Sequence, residues 1–394
     1  MARTRQAYLW IAALLIVGAL TYAVLVIGDY VAAKYLAYLY EGFSHSAAEA
    51  IITERREKED LPERARAIAE GFHSVLMPSA IEDSKSLAAL ANKLGVAPLA
   101  PHPKTPLYLC NEGYGLVKYT SDRFGFRNPD RAWDSKVDVV LIGDSFIQGA
   151  CVAEEDTLSG RLRDQMSVLA LGALGNHPVH YAALIKTFIP EIKPRWAVLV
   201  FYSNDLNEGT RDSLYYEHYF EHEAHYFDRP NGELQLSKPV SDFYAQTFRR
   251  ISRGTPPKQG EEIGGKKQST AWEHFRLQNL TLLAKQVYAA SPLDNHLRFS
   301  SQLAIDALNQ TCAKVGCEPL IVYIPNSSYW RPDPRGPNYA HALCSYASNR
   351  HIKCKDMTDA LAPLGREAFA IKGPHFSPAG YKIVADQIAQ LVKR

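Results

Sequence analysis

The chain has 394 residues, and its 44 Lys and Arg against 42 Asp and Glu give a formal net charge of +2. A near-neutral balance of this kind gives no reason to expect nucleic acid as a partner. The length suits two or three ordinary domains, or one large domain with appendages.

The N-terminal stretch is long and apolar. Arg3 and Arg5 precede an uncharged run from Ala7 to Ile27, which is enough to cross roughly 30 Å of hydrocarbon as a helix. Because the charges before the run are positive and Asp29 follows it, the positive-inside rule predicts a cytoplasmic N-terminus. We therefore expect residues 1–28 to form a stub and a single-pass anchor in the lipid bilayer of the inner (plasma) membrane, with a periplasmic or extracytoplasmic remainder.

All six cysteines follow this run, and an even number suits an oxidising compartment. Close spacing predicts two disulfides and leaves a third by remainder, although other connectivities stay open at this stage. The predicted pairs are Cys312–Cys317, Cys344–Cys354 and Cys110–Cys151. None has the two-residue spacing of a structural zinc site, so no metal or other cofactor is expected.

Residues 29–105 are rich in Ala, Leu, Glu and Arg and end in a proline-rich stretch before Pro106. Mixed-sign charges at 54–60 are typical of a solvated helix face, and prolines stiffen a linker. This composition predicts a helical stalk and linker, followed by an outer domain over residues 106–394.

The outer domain is organised around one mostly apolar run, Val137 to Ile142, which has the length of a strand buried on both faces. Gly143 ends the run and places Asp144 and Ser145 at a strand-to-helix turn. Four more such runs alternate with helical patterns, near residues 167–171, 197–201, 320–324 and 352–355. Parallel strands need crossovers, so we expect a doubly wound α/β domain with a five-stranded parallel sheet.

Residues 206–300 are too long for a plain loop and predict an insertion. Its aromatic residues, from Tyr215 to Phe227, are expected to pack in a core, with stacking on sugar rings as the alternative. His218, His222 and His225 offer a metal site as a less favoured option. The segment 253–268 has the composition of a disordered or mobile stretch.

Candidate catalytic residues follow the predicted strands, and the carboxyl ends of parallel strands share one edge of the sheet. Ser145 is the candidate nucleophile and His375 the candidate base, which is the minimum for acyl transfer. The Ser145 and Gly175 N–H groups and the Asn204 side chain are candidate donors to an oxyanion. Asp144, next to the nucleophile, is also a candidate catalytic residue, and capping of the following helix is its alternative role.

These residues resemble the blocks of the SGNH (GDSL-type) hydrolase family. Gly143-Asp144-Ser145-Phe146 is similar to its first block, Gly175 to its glycine, Asn204-Asp205 to its Asn-Asp block, and His375 with Gly380 to its last block. The resemblance implies a flavodoxin-like three-layer α/β/α fold and ester hydrolysis or acyl transfer without a metal. Membrane-tethered members outside the cytoplasm commonly act on O-acetyl groups of polysaccharides.

One departure concerns the acid that orients the base. The family usually carries Asp two or three residues before the His, where this chain has Gly373 and Lys372. Loss of the carboxylate in a serine-protease triad costs ~10⁴ in turnover. Asp356, Asp359 or a backbone carbonyl is a possible substitute, and a slow or inactive enzyme is the other possibility.

The sequence therefore favours a membrane-anchored serine esterase acting on O-acyl groups, above all O-acetyl groups, of a cell-envelope or secreted polysaccharide. A polysaccharide O-acetyltransferase using the same site is the alternative within chemistry. A degenerate SGNH module that binds polysaccharide in a membrane complex, with partners that the sequence does not identify, is the alternative from another class.

Overall fold

A computed structural model describes residues 2–39, 60–207, 213–252, 277, 280–281, 297–325 and 335–393. Helix α1 spans Ala2–Leu39. Within it, the 21 residues Ala12–Ala32 are long and apolar enough to cross a membrane by length and composition. This window overlaps the predicted span from Ala7 to Ile27.

The centre of the domain is a five-stranded sheet in which every neighbouring pair is parallel. Its strands are β4 (Val139–Gly143), β5 (Val168–Gly172), β6 (Trp196–Tyr202), β9 (Glu318–Ile324) and β10 (Lys353–Asp356). They lie in the order β5-β4-β6-β9-β10, which is the flavodoxin-like order 2-1-3-4-5. The predicted doubly wound α/β fold is confirmed.

Helices cover both faces of this sheet. Successive residues of each strand point to opposite faces, so both faces carry apolar side chains that the helices bury. Val140 and Ile142 belong to one apolar cluster, and Val139 and Leu141 to the other. The first layer contains α7 (Pro178–Ile192) and α10 (Phe299–Val315), and the second contains α6 (Leu158–Arg163) and α13 (Pro378–Val392). Three further α-helices of the described part of the domain are α5 (Ser145–Gln148), α11 (Arg335–Ser348) and α12 (Thr358–Leu361).

The region predicted as stalk and linker contributes to the first layer. Helix α2 covers residues 60–69, and α3 (Pro78–Asp83) and α4 (Lys85–Leu94) follow. Ile81 and Leu90 lie in the same cluster as Val140. The same part of the chain and the residues that follow it form a small three-stranded sheet, with strands β1 (His73–Ser74), β2 (Pro106–Tyr108) and β3 (Lys118–Thr120).

The predicted insertion also packs inward where the structure describes it. It contains α8 (Leu214–Tyr216), the β7 (Phe227–Asp228) and β8 (Gln235–Leu236) pair, and α9 (Lys238–Ser252). Tyr215, Tyr219, Tyr226 and Phe243 are buried in the first cluster. These aromatic rings therefore pack in the core and do not form an exposed platform for sugar rings. The segment 253–268 lies outside the described residues.

All three predicted disulfides are confirmed. The Cα–Cα distances are 5.0 Å for Cys110–Cys151, 4.5 Å for Cys312–Cys317 and 5.3 Å for Cys344–Cys354. Such bonds persist in oxidising compartments, so they suggest a domain outside the cytoplasm.

Candidate active site

Ser145 follows strand β4, separated from it only by Asp144, and is the first residue of α5. The turn is tight: a Cβ added to Gly143 would come within 2.5 Å of the Ile147 side chain. The Asp144 carboxylate accepts a hydrogen bond from Phe146 N–H at 2.9 Å and so caps α5. The Ser145 hydroxyl is thereby held at the carboxyl edge of the sheet.

His375 lies in a reversed loop just before α13. Ala370 N–H donates to the His375 carbonyl at 2.7 Å, and Phe369 and Phe376 form an isolated bridge. His375 Nε2 is 2.9 Å from Ser145 Oγ. The structure therefore brings the predicted nucleophile and base within hydrogen-bond reach, although 230 residues separate them.

The carboxylate that orients His375 is Glu112, which the sequence did not single out. Its Oε1 is 2.8 Å from His375 Nδ1, and its Oε2 accepts from the His375 backbone N–H at 3.1 Å. Glu112 is 2% exposed. A buried carboxylate on Nδ1 fixes the tautomer in which Nε2 faces the serine. Ser145, His375 and Glu112 thus form a complete triad geometry.

Gly373 makes room for this carboxylate. A Cβ added at this position would lie 1.8 Å from Glu112 Cδ and about as close to both carboxylate oxygens. The neighbouring Lys372 N–H donates to the Glu112 carbonyl at 3.0 Å. The absence of an acid before His375 is therefore matched by an acid that enters the same space from another part of the chain.

The loop that carries Glu112 joins β2 to β3 and is cross-linked to the nucleophile side. Asn111 Oδ1 accepts from the N–H groups of Gly113 and Gly115 at 2.9 and 3.1 Å. Cys110, two residues before Glu112, is bonded to Cys151, whose Sγ is 3.7 Å from His375 Nδ1. The predicted disulfide brings this segment to the Ser145 helix, but it does not by itself identify Glu112 as the acid.

Gly175 lies in the loop after β5, the neighbour of β4. Its φ is +78°, a conformation that favours glycine. A Cβ here would lie 2.4 Å from Ser79 Oγ in α3. A side chain at 175 would therefore require either Ser79 or this loop to shift, in addition to the strain of the positive φ.

Asn204 lies in the turn after β6, on the other side of β4. The adjacent Asp205 is fully buried and fixes the turn by accepting from Tyr202 N–H at 2.8 Å and from Tyr181 Oη at 2.9 Å. Asn204 Oδ1 is buried and has no hydrogen-bond partner among the described residues. Ser145, Gly175 and Asn204 therefore follow three adjacent strands, as predicted.

The acidic residue next to the nucleophile has an unusual environment. Burial raises the pKa of Asp144 to about 6, although the Phe146 N–H and the nearby His375 oppose this rise. With Glu112 in place, Asp144 has the role of a helix cap and is not the partner of the His375 ring nitrogens.

Other predicted candidates have separate partners. Asp356 Oδ1 accepts from Thr358 N–H at 2.8 Å, so this suggested substitute for the missing acid is bound to the first residue of α12 instead. His218 Nε2 is 3.0 Å from Asn92 Oδ1, and His225 Nε2 is 2.7 Å from Asp228 Oδ1. His222 Nε2 lies 3.7 Å from Glu217. Within the described ranges these three histidines therefore do not converge on one ion.

No protein-family model matches the chain, and no curated protein matches it in sequence. Among solved structures, it is similar to TesA, at 10% identity and a TM-score of 0.35, over 65% of this chain and 98% of that one. It is also similar to a putative lipolytic protein of the G-D-S-L family from Desulfitobacterium hafniense DCB-2, at 14% identity and 0.33, over 65% and 99%. A third is the lipase/acylhydrolase from Enterococcus faecalis, at 14% identity and 0.34, over 65% and 95%. The G-D-S-L family is the one that the sequence motifs resemble. All three likenesses are distant in sequence.

Proposed function

We propose that the protein is a serine ester hydrolase whose triad is Ser145, His375 and Glu112. The observation that carries this proposal is a pair of hydrogen-bond contacts made by His375. Its Nε2 is 2.9 Å from Ser145 Oγ, and its Nδ1 is 2.8 Å from Glu112 Oε1. A nucleophile, a base and an orienting carboxylate in this geometry are what acyl transfer through a covalent intermediate requires.

The reaction follows from these positions. Ser145 Oγ attacks the ester carbonyl while His375 Nε2 takes its proton, and the Glu112 carboxylate stabilises the imidazolium that forms. The tetrahedral oxyanion accepts from Ser145 N–H, Gly175 N–H and the Asn204 amide. His375 then protonates the leaving alcohol, which leaves an acyl-Ser145 ester. Water, deprotonated by His375, releases the acid and restores the serine.

The substrate class is inferred from the setting of the domain. An N-terminal apolar helix and three disulfides support a catalytic domain tethered outside the cytoplasm. The motif resemblance implies O-acyl groups, above all O-acetyl groups, of a cell-envelope or secreted polysaccharide. In this proposal the N-terminus is cytoplasmic, and the acylated carbohydrate is the partner of the outer domain.

An O-acetyltransferase remains the alternative within chemistry, because a sugar hydroxyl can replace water in the second step. The degenerate binding module loses its main support, since it depended on the missing acid at Lys372 and Gly373, and Glu112 fills that place.

The test uses the full chain in detergent with an activated acetate ester and with an acetylated oligosaccharide. We expect hydrolysis that Ser145→Ala and His375→Ala each abolish, with the double variant no worse than either single variant, because residues that act as one unit fail together. Acetate release measures hydrolysis, and the mass of an added oligosaccharide acceptor measures transfer. Wild-type turnover equal to that of Ser145→Ala would leave the esterase proposal without support.

A further inference from the structure

A buried polar cluster lies behind the loop that carries Gly175. Glu82 of α3 is at its centre: its Oε2 is 3.1 Å from His177 Nε2 and 3.7 Å from His180 Nε2. Its Oε1 accepts from Ser213 Oγ at 2.5 Å. The cluster thus joins three distant segments: α3, the start of α7 and the start of the insertion helix α8.

The spacing of these groups suits a metal ion, but the protonation of His180 does not. One ligand atom from each of Glu82, His177 and His180 lies within 4.8 Å of the others. However, His180 Nδ1 accepts from the His177 backbone N–H at 3.2 Å, and burial lowers the pKa of His180 well below its ordinary value. A neutral ring that accepts at Nδ1 carries its proton at Nε2. His180 Nε2 is therefore a donor, and a metal ligand there would require the loss of this helix-capping bond.

Glu82 accepts hydrogen bonds from His177 and Ser213, whereas His180 Nε2, at 3.7 Å, makes none to the described residues. Burial alone would raise the pKa of Glu82, but hydrogen bonds from His177 and Ser213 outweigh it and hold the pKa below its ordinary value. An ionised carboxylate only accepts, so His177 donates from Nε2. Charge-assisted bonds of this kind are about twice as strong as neutral ones. The cluster is therefore a carboxylate that fixes its neighbours in place.

Helix α3 holds the Gly175 loop at two points. Ser79 lies so close to Gly175 that a Cβ there would come within 2.4 Å of its hydroxyl. Glu82, one turn later in α3, binds His177, two residues after Gly175. The Tyr215 ring closes the far side, with its centroid 4.2 Å from that of His180.

We propose that Glu82 is a positioning residue for the oxyanion hole, acting through His177 to hold the Gly175 N–H towards the reacting carbonyl. This inference rests on the proposed esterase function. It assigns a part in the reaction to α3, in the N-terminal segment, and to Ser213 of the insertion.

The test compares full-length Glu82→Ala and Glu82→Gln with the wild type. A lost oxyanion donor costs about 10²–10³ in turnover, so a displaced one should cost about tenfold to hundredfold in Glu82→Ala. We expect KM to be unchanged and the inhibition constant of a small alkylboronic acid, which forms a tetrahedral adduct on Ser145, to rise by the same factor as kcat falls. Glu82→Gln keeps an acceptor for Ser213 and should lose less. If Glu82→Ala does not fold, Glu82→Gln carries the test.

A matched control is Asp306→Asn, which removes a half-buried carboxylate that accepts from Tyr346 Oη at 3.0 Å, between α10 and α11. It should leave both kcat and the boronic acid affinity unchanged. Folded Glu82 variants with wild-type kcat, or a stoichiometric zinc ion that Glu82→Ala loses, would overturn the positioning role. These outcomes leave the esterase itself intact, whereas the proposed function fails only if Ser145→Ala is as active as the wild type.

Discussion

The nucleophile and the acid of the triad are held in different ways. Ser145 is placed by the main sheet, since β4 lies between β5 and β6 and its last residue leads directly into the catalytic turn. Glu112 lies outside that sheet, in a loop that is held by a disulfide and by the hydrogen bond from Lys372 N–H. Its carboxylate occupies the space that Gly373 leaves free. The comparison shows that the position of Ser145 depends on strand order and the position of Glu112 on tertiary contacts. A substitution that displaces Glu112 should therefore leave Ser145 in place.

The largest expected effect is on the acid. Glu112→Gln keeps the size of the side chain but presents an amide to His375 Nδ1, which favours the wrong tautomer. We expect kcat to fall ~10⁴-fold, as it does when the triad Asp of a serine protease is changed to Asn, with an unchanged melting curve. Steady-state kinetics on an activated acetate ester measure it. A loss below tenfold would show that Glu112 does not orient the base.

The same comparison can be sharpened by moving the acid. Gly373→Asp alone should impair the enzyme, because the new side chain would occupy the space of the Glu112 carboxylate. Combined with Glu112→Ala, the same substitution places a carboxylate before His375 and should recover part of the activity that Glu112→Ala loses. Equal activities of Glu112→Ala and the double variant would contradict this expectation.

On the sheet side, Asn204→Ala should cost about 10²–10³ in turnover through one lost oxyanion donor. The Asn204 side chain is partly buried and its Oδ1 makes no hydrogen bond to the described residues, so its removal should not unfold the turn that Asp205 fixes. The kcat values of the two proteins, with substrate saturating, measure the effect. Asn204→Asp, which loses the amide donor at nearly the same size, is the control and should be as slow.

Asp144 provides a pH test of the nucleophile turn. Its pKa rises from 3.8 to about 6 on folding, so between these values the folded state binds more protons than the unfolded state and stability falls as pH rises. The full cost, on the order of 3 kcal/mol, is present above pH 6. Asp144→Asn keeps an acceptor for Phe146 N–H and should be more stable than the wild type at pH 7 but not at pH 4. Urea unfolding at the two pH values measures this difference, and a constant difference would refute it.

The smallest expected effect is on the disulfide beside the acid. Cys110→Ser with Cys151→Ser should lower kcat by about tenfold, less than the hundredfold that a 1 Å displacement can cost, because Lys372 and His375 still hold Glu112. Cys312→Ser with Cys317→Ser is the matched control, since Cys317 directly precedes β9 and so lies at the amino ends of the strands, away from the active site. Equal kcat values for both pairs would show that the disulfide contributes to stability alone.

Much of the fold was predictable because its signals are local. In runs such as Val137 to Ile142 every residue except Asp138 is apolar, and such runs are typical of strands buried on both faces when they alternate with helical segments. The order of Ser145, Gly175, Asn204 and His375 along the chain was enough to place them on one edge of the sheet.

Glu112 was not predictable in this way. It lies 263 residues from His375, and nothing in its immediate sequence distinguishes it from any loop carboxylate. The packing of α3 against the Gly175 loop was missed for a similar reason, since a six-residue helix has too few turns to show which neighbour its side chains contact. Composition predicted helices before residue 100, but it carried no information about their partners.

The separation between the triad members also has a consequence for folding. Glu112 and Ser145 are near in sequence and are joined through a disulfide that closes a loop of 41 residues, whereas His375 must return across 230 residues to reach Ser145. Long loops close late because their ends lose more entropy on meeting. During refolding with the disulfides intact, the Glu112 loop is therefore held beside the nucleophile turn before the C-terminal strands and His375 arrive, and esterase activity should be the last signal to recover.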